Sequence, residues 1–207
     1  MSFHYMIRIF LTTWLRILLI FISGLLTSCA NYTSKPPSSW DANNKSISEK
    51  TCSDISGVYE NRGVKAPANN SGIDRTKYPK YLSEYFAILR VNGFEHRWIT
   101  HLKLTPINQG KFKVIFKQKD KTIATKTMIE MKDFTCTPQG IKMSTSGTSA
   151  TVYGPEYRSD EKFFYKATDG YLIVKDSHSK AGIFAIIPYG GVTQEFYRFS
   201  PFVDDKK

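Results

Sequence analysis

Lys111-Phe112-Lys113-Val114-Ile115-Phe116-Lys117 alternates lysine with apolar side chains, Ile115 being the one exception on the second face. A period of two places Phe112, Val114 and Phe116 on one side of an extended chain and the lysines on the other. The same period returns downstream in Ile123, Thr125, Thr127, Ile129 and Met131. Upstream and further on, shorter runs follow it: Leu102 and Leu104, Ile141 and Met143, Ala150 and Val152, Phe163 and Tyr165, Leu172 and Val174, and Phe196 and Tyr197. Turn signals stand between them at Asn108-Gln109-Gly110, Lys119-Asp120-Lys121, Ser146-Gly147, Asp169-Gly170, Lys180-Ala181-Gly182 and Gly190-Gly191. Many short strands with turns at this spacing predict a mainly β domain, a single antiparallel barrel or sandwich connected as a meander of hairpins. Helix is expected at most once or twice. The best candidate is the stretch from Tyr78 to Leu89, whose Tyr78, Leu82, Phe86 and Leu89 have helical spacing before the chain turns strand-like.

The first 28 residues have a different composition. Arg8 and Arg16 are their only charges, and an apolar run from Ile17 to Ile22 leads through Ser23-Gly24-Leu25 to Leu26-Thr27-Ser28-Cys29. A charged and then apolar segment is the layout of a secretory signal. A spanning helix would need about 20 mostly apolar residues, and Arg16 interrupts the stretch. The tetrapeptide Leu26-Thr27-Ser28-Cys29 resembles the lipobox of bacterial lipoproteins, of an uncharacterised Gram-negative type. The resemblance implies cleavage before Cys29, a diacylglycerol on its sulfur, and, with Ala30 rather than Asp following, anchoring at the outer membrane facing the periplasm. The expected organisation is a signal peptide over residues 1–28, a lipidated N-terminus and flexible tether over 29–51, and a β-rich globular domain over 52–207. The tether is expected from composition, since Ser, Asn, Lys and Pro dominate it and cannot bury enough surface to fold.

The chain holds three cysteines. With Cys29 carrying lipid, Cys52 and Cys136 are left as one possible disulfide, permitted in the periplasm. The alternative is a pair of buried thiols.

The formal net charge is +11. Its lysines are dispersed, which reads as a solvated surface, and an exported destination argues against nucleic acid as the partner. Lys111, Lys113, Lys117, Lys119 and Lys121 fall in one predicted hairpin, where lysine discourages edge pairing or docks an anionic partner.

A search for chemistry finds no nucleophile elbow and no metal-ligand spacing. Asp176-Ser177-His178 are neighbours in sequence, which does not make a triad. They are expected in a hairpin loop. His96 and His101 stand five apart, on opposite faces of a strand. No catalytic residue, cofactor or metal is expected. Aromatic residues make up 14% of the chain, and they either fill a core or line a cavity. Gly57-Val58-Tyr59 and Arg198 resemble the opening motif and late arginine of lipocalin-like barrels, with Tyr in place of Trp. The function expected is a non-catalytic binding module, membrane-anchored by its lipid, for a hydrophobic or amphiphilic small molecule. Its rival is an envelope structural or interaction lipoprotein with a protein or cell-wall partner, and a hydrolase comes third.

Overall fold

Two antiparallel sheets face each other across an aromatic core. The structure, a computed structural model, describes residues 30–33, 36, 38–40, 55–66, 80–86, 95–108, 110–138, 140–151, 154–184 and 187–203. The smaller sheet joins β2 (Gly57–Glu60), β4 (His101–Asn108), β5 (Lys111–Gln118) and β6 (Lys121–Ile129), in that order. The larger sheet runs β1 (Ala30–Thr33), β11 (Ile187–Phe199), β10 (Leu172–Phe184), β9 (Gly154–Lys166), β8 (Gly140–Thr151) and β7 (Thr135–Thr137), with β3 (Val64–Lys65) also pairing with β11. From β4 onward, neighbours in sequence are neighbours in a sheet wherever strands pair, which is the expected meander. The sheets do not close into a barrel. One seam between them is bridged where Tyr59 pairs with Pro201, with Glu60 N–H donating to Ser200 and Phe202 N–H donating to Val58.

The alternation at Lys111–Lys117 works as expected. Phe112, Val114 and Phe116 are buried and their neighbours Lys111 and Lys113 are exposed. Because β5 lies between β4 and β6, its lysines cover an outer face rather than guard an edge. On the inner side, Phe112, Val114 and Phe116 meet Leu102 and Leu104 from β4 and Met128 from β6. The larger sheet contributes Ile141, Phe164, Val174, Tyr197 and Phe199. A single-turn helix, α1 (Leu82–Tyr85), sits between the sheets, and Leu82, Tyr85 and Phe86 are all buried. Rings meet throughout: Phe86 stacks on Phe164 with centroids 5.3 Å apart, and Phe112 lies 4.9 Å from Phe134. The aromatic surplus therefore fills the space between the sheets. Gly140 is required by this closeness, because a Cβ there would stand 2.0 Å from the Phe164 carbonyl oxygen.

Asn61 ties the small helix to the rest. Its amide donates to the carbonyls of His96 (2.7 Å) and Ile99 (3.0 Å), and its side-chain oxygen accepts Ser83 N–H at 2.9 Å. Buried polar groups of this kind need partners, and Asn61 supplies partners to two segments at once. Lys126 adds a further tie by donating to the Phe86 carbonyl at the end of α1.

Three expectations are corrected. Asp176-Ser177-His178 is not a hairpin loop but the middle of β10. Ser146-Gly147, Lys180-Ala181-Gly182 and Gly190-Gly191 are not turns but lie inside β8, β10 and β11. The physical reason is common to both. These strands run thirteen residues in β9, β10 and β11, roughly 40 Å, well past the core, where polar and small residues no longer signal a turn. Met131 is also not a strand residue; it follows β6 with a positive φ of 63° and is exposed. Helix is as scarce as expected, confined to α1 and two short 3-10 turns at Ser38–Trp40 and His96–Trp98 among the described residues. The expected turns at Gly110, Lys119 and Gly170 are found, each with positive φ.

Cys29, Cys52 and the leader lie outside the described residues. Two pieces of the stretch expected as a tether lie on the large sheet. Residues 30–33 form β1, and Trp40 is buried on the outer face against Tyr165, Ile173 and Phe196. The Tyr165 hydroxyl donates to the Trp40 carbonyl at 3.0 Å. Among the described residues no helix is long and apolar enough to cross a membrane.

Candidate functional site

Strand register makes one face of the long sheet a ladder of charges. Beyond the last apolar row of Ile141, Phe164, Val174 and Tyr197 comes Met143, Lys162, Asp176 and Glu195. The next row is Thr145, Asp160, His178 and Thr193, and the one after is Gly147, Arg158, Lys180 and Gly191. Ser149, Glu156, Gly182 and Tyr189 follow. Alternation along each strand puts all of these on the face continuous with the core. The four strands from β8 to β11 thus form an arm that leaves the core and carries charge on this side.

Asp176 and Glu195 are direct cross-strand neighbours, an arrangement that like charges disfavour. Each is given its own ammonium. Lys65 from β3 reaches Glu195 at 2.7 Å, and Lys80, just before α1, stands 3.8 Å from Asp176. The Tyr197 hydroxyl also donates to Glu195 at 2.5 Å. Burial opposes ionisation of Glu195, but the hydrogen bonds from Lys65 and Tyr197 overcome it, so its pKa is lowered. Tyr197 is raised in turn, by burial first and then by its bond to Glu195. Tyr85 is raised well above its ordinary value, again by burial first and then by the nearby Asp176 charge.

His178 bridges two carboxylates. Its Nδ1 is 2.6 Å from Asp160 and its Nε2 3.2 Å from Asp176. Asp176 is only 1% exposed, yet neither of its oxygens accepts a hydrogen bond of ordinary geometry among the described residues. A buried carboxylate in that condition is costly, and it suits a bound donor such as water, a hydroxyl or an ammonium. Towards the tip, Glu156 accepts from Tyr189 at 2.5 Å and pairs with Arg158, and these two bonds, Tyr189's first, hold its carboxyl below the usual range.

Ser177 sits between Asp176 and His178 on β10 and so faces the other side of the sheet, out of reach of the imidazole. His96 and His101 have separate surroundings: His96 Nδ1 lies 2.9 Å from Ser83 Oγ, whereas His101 stacks on Phe202 with centroids 4.0 Å apart. Asp160 and Glu161 also part to opposite faces, Glu161 pairing with Lys142 at 2.5 Å. Arg198 covers the ring of Tyr171 at 3.6 Å, lies 5.7 Å from that of Trp40, and pairs with Asp169. Tyr59 is buried in the core, its hydroxyl donating to Ile55 and Ser56 carbonyls. Cys136 lies on β7, half-buried against the core.

The ladder was missed in the sequence because its members are spread over four strands and become neighbours only through register. The signal available was the alternation Asp176, His178, Lys180 and Arg158, Asp160, Lys162, each a two-residue charge period. Comparison of the chain with protein-family models, curated proteins and solved structures returns no match.

Proposed function

We propose that this chain is a lipoprotein, lipidated at Cys29, anchored in the outer membrane facing the periplasm, and acting as a non-catalytic interaction module for an envelope protein or cell-wall partner. The observation that carries the interaction reading is the charged ladder, which continues along the arm far beyond what the core requires. An exposed row of alternating charge selects partners by complementarity and steers their approach. The aromatic side chains pack on one another, which favours this reading over a ligand held between the sheets. In-cell photocrosslinking tests it, with the photoreactive residue placed at Lys180 on the ladder or at Lys113 on the outer face of β5. A discrete adduct from Lys180 alone, lost on Asp160→Lys, supports the proposal. Equal crosslinking from both positions contradicts it.

A second reading rests on Asp176. A buried carboxylate whose nearest cationic donors, His178 and Lys80, stand off at 3.2 and 3.8 Å, and which borders Tyr85 and Tyr197, suits the polar head of an amphiphilic small molecule, with a hydroxyl or ammonium as the donor. Native mass spectrometry decides it: extra mass that disappears in Asp176→Asn supports such a ligand, and a bare chain in both samples argues against one.

A further inference from the structure

The face of the arm opposite the ladder loses its charge towards the tip. Near the core it carries Lys142, Phe163, Lys175 and Phe196, then Ser144, Glu161, Ser177 and Gln194. The next row is Ser146, Ser159, Ser179 and Val192, followed by Thr148, Tyr157, Ala181 and Gly190. At the end, Ala150 pairs with Pro155 and Ile183 with Pro188. Beyond Glu161 and Gln194 no ionisable carboxylate or amine stands on this face among the described residues, and large side chains lie open: Tyr157 is 47% exposed and Ile183 45%. The same strands keep Arg158, Lys180 and Glu156 on their other side. An amphipathic sheet end with an uncovered apolar face indicates something that covers it.

What covers it follows from β1. This strand pairs in parallel with β11, Ala30 opposite Gly191 and Thr33 opposite Gln194. β1 therefore has its tip end at Ala30, and Cys29 is the residue before it in sequence. From Gly191 to Ile187, the start of β11, is four residues, about 13 Å. The first described residue of β1, Ala30, thus stands on the tip side, with the end of the arm reaching about 13 Å beyond it. Interfacially bound segments sink about 5–10 Å into the headgroup and acyl boundary.

We propose that the uncharged tip face of the arm, centred on Tyr157 and Ile183, rests in the interfacial layer of the bilayer beside the Cys29 lipid, as a second point of attachment. Apolar surface buried in the interfacial layer adds to the hold that the diacylglycerol on Cys29 supplies. Attachment at two points fixes the arm's orientation and turns the charged ladder away from the lipid. The inference rests on lipidation of Cys29 for the choice of a membrane as the occupant.

The full mature protein, reconstituted in vesicles of phosphatidylethanolamine and phosphatidylglycerol, allows a direct test. Tryptophan is introduced as Ile183→Trp or, for control, Lys113→Trp, and quenching by lipids brominated on their chains is measured against the parent protein. Flotation of each sample reports anchoring. The expected result is a blue-shifted Ile183→Trp emission, mostly lost to brominated lipid, with Lys113→Trp unaffected. Samples that float while Ile183→Trp stays red-shifted and unquenched overturn the inference and leave the lipid anchor standing. Quenching that persists in Cys29→Ser supports the tip contact and counts against lipidation as its basis. A sample that neither floats nor quenches overturns both.

Discussion

The ring of Tyr85 stands edge-on to the ring of Phe164, with centroids 5.8 Å apart and planes at 88°. Through this contact, and that of Phe86 stacked on the same ring, a helix of one turn holds the two sheets together. Such a helix has little stability of its own and exists because its apolar side chains are buried. Phe86→Ala should therefore cost about 3–5 kcal/mol, read as a fall in the denaturation midpoint with an unchanged slope.

Asn61 offers an independent check on how α1 is held. Asn61→Ala removes one acceptor and two donor contacts at once and leaves the Ser83 N–H without its partner. Unsatisfied buried groups cost about 1–3 kcal/mol each, so a loss of about 2–4 kcal/mol is expected in urea denaturation. Hydrogen exchange should speed at Ser83 while the β8–β9 ladder stays protected. Uniform acceleration across both would mean that Asn61 is not a local tie.

The raised phenols predict a specific alkaline response. Tyr85 and Tyr197 have folded pKa values above the ordinary value of about 10. Above that value the unfolded state releases the protons and the folded state keeps them, so stability falls as pH rises. Below pH 10 this contribution is fully present. Tyr85→Phe and Tyr197→Phe should each flatten the loss of stability above pH 10, measured by denaturation at stepped pH. Glu195 has the opposite sign: its pKa is lowered, so its contribution is present above the ordinary glutamate value of about 4.3 and is lost as pH falls through the lower folded value. Lys65→Ala should shrink that acid-side loss.

The cysteines give a covalent prediction. A Cys52–Cys136 bond closes a loop of about 85 residues, worth about 4 kcal/mol in the chain-entropy view. The mature protein purified from the periplasm should weigh two hydrogens less than its reduced form, and Cys136→Ser should lose a comparable stability. An unchanged mass after reduction contradicts the pairing.

The fold was legible in the sequence wherever strands border the core. Phe112, Val114 and Phe116 announced β5 because one face of that strand is buried and the other wet. Legibility failed along the arm, where both faces of β8 to β11 leave the core and polar and small residues dominate both. Gly147, Gly182 and Gly190 then resembled turns, although all three lie inside strands; a Cβ on Gly182 would meet the Tyr189 hydroxyl at 2.7 Å, whereas one on Gly147 would meet open space. Trp40 was hidden by averaging, one large apolar residue in a polar stretch. The charged ladder needed register as well as pattern, and register is set by the tertiary fold.

Everything proposed about location and orientation depends on the chemistry of Cys29. Mass spectrometry of the N-terminal peptide from membrane-extracted protein, with Cys29→Ser alongside, tests it most directly. The account predicts a mature chain beginning at Cys29 with diacylglycerol on its sulfur, and an unmodified, uncleaved precursor in Cys29→Ser. A wild-type chain that retains residues ahead of Cys29, with a free or unlipidated sulfur, would contradict it.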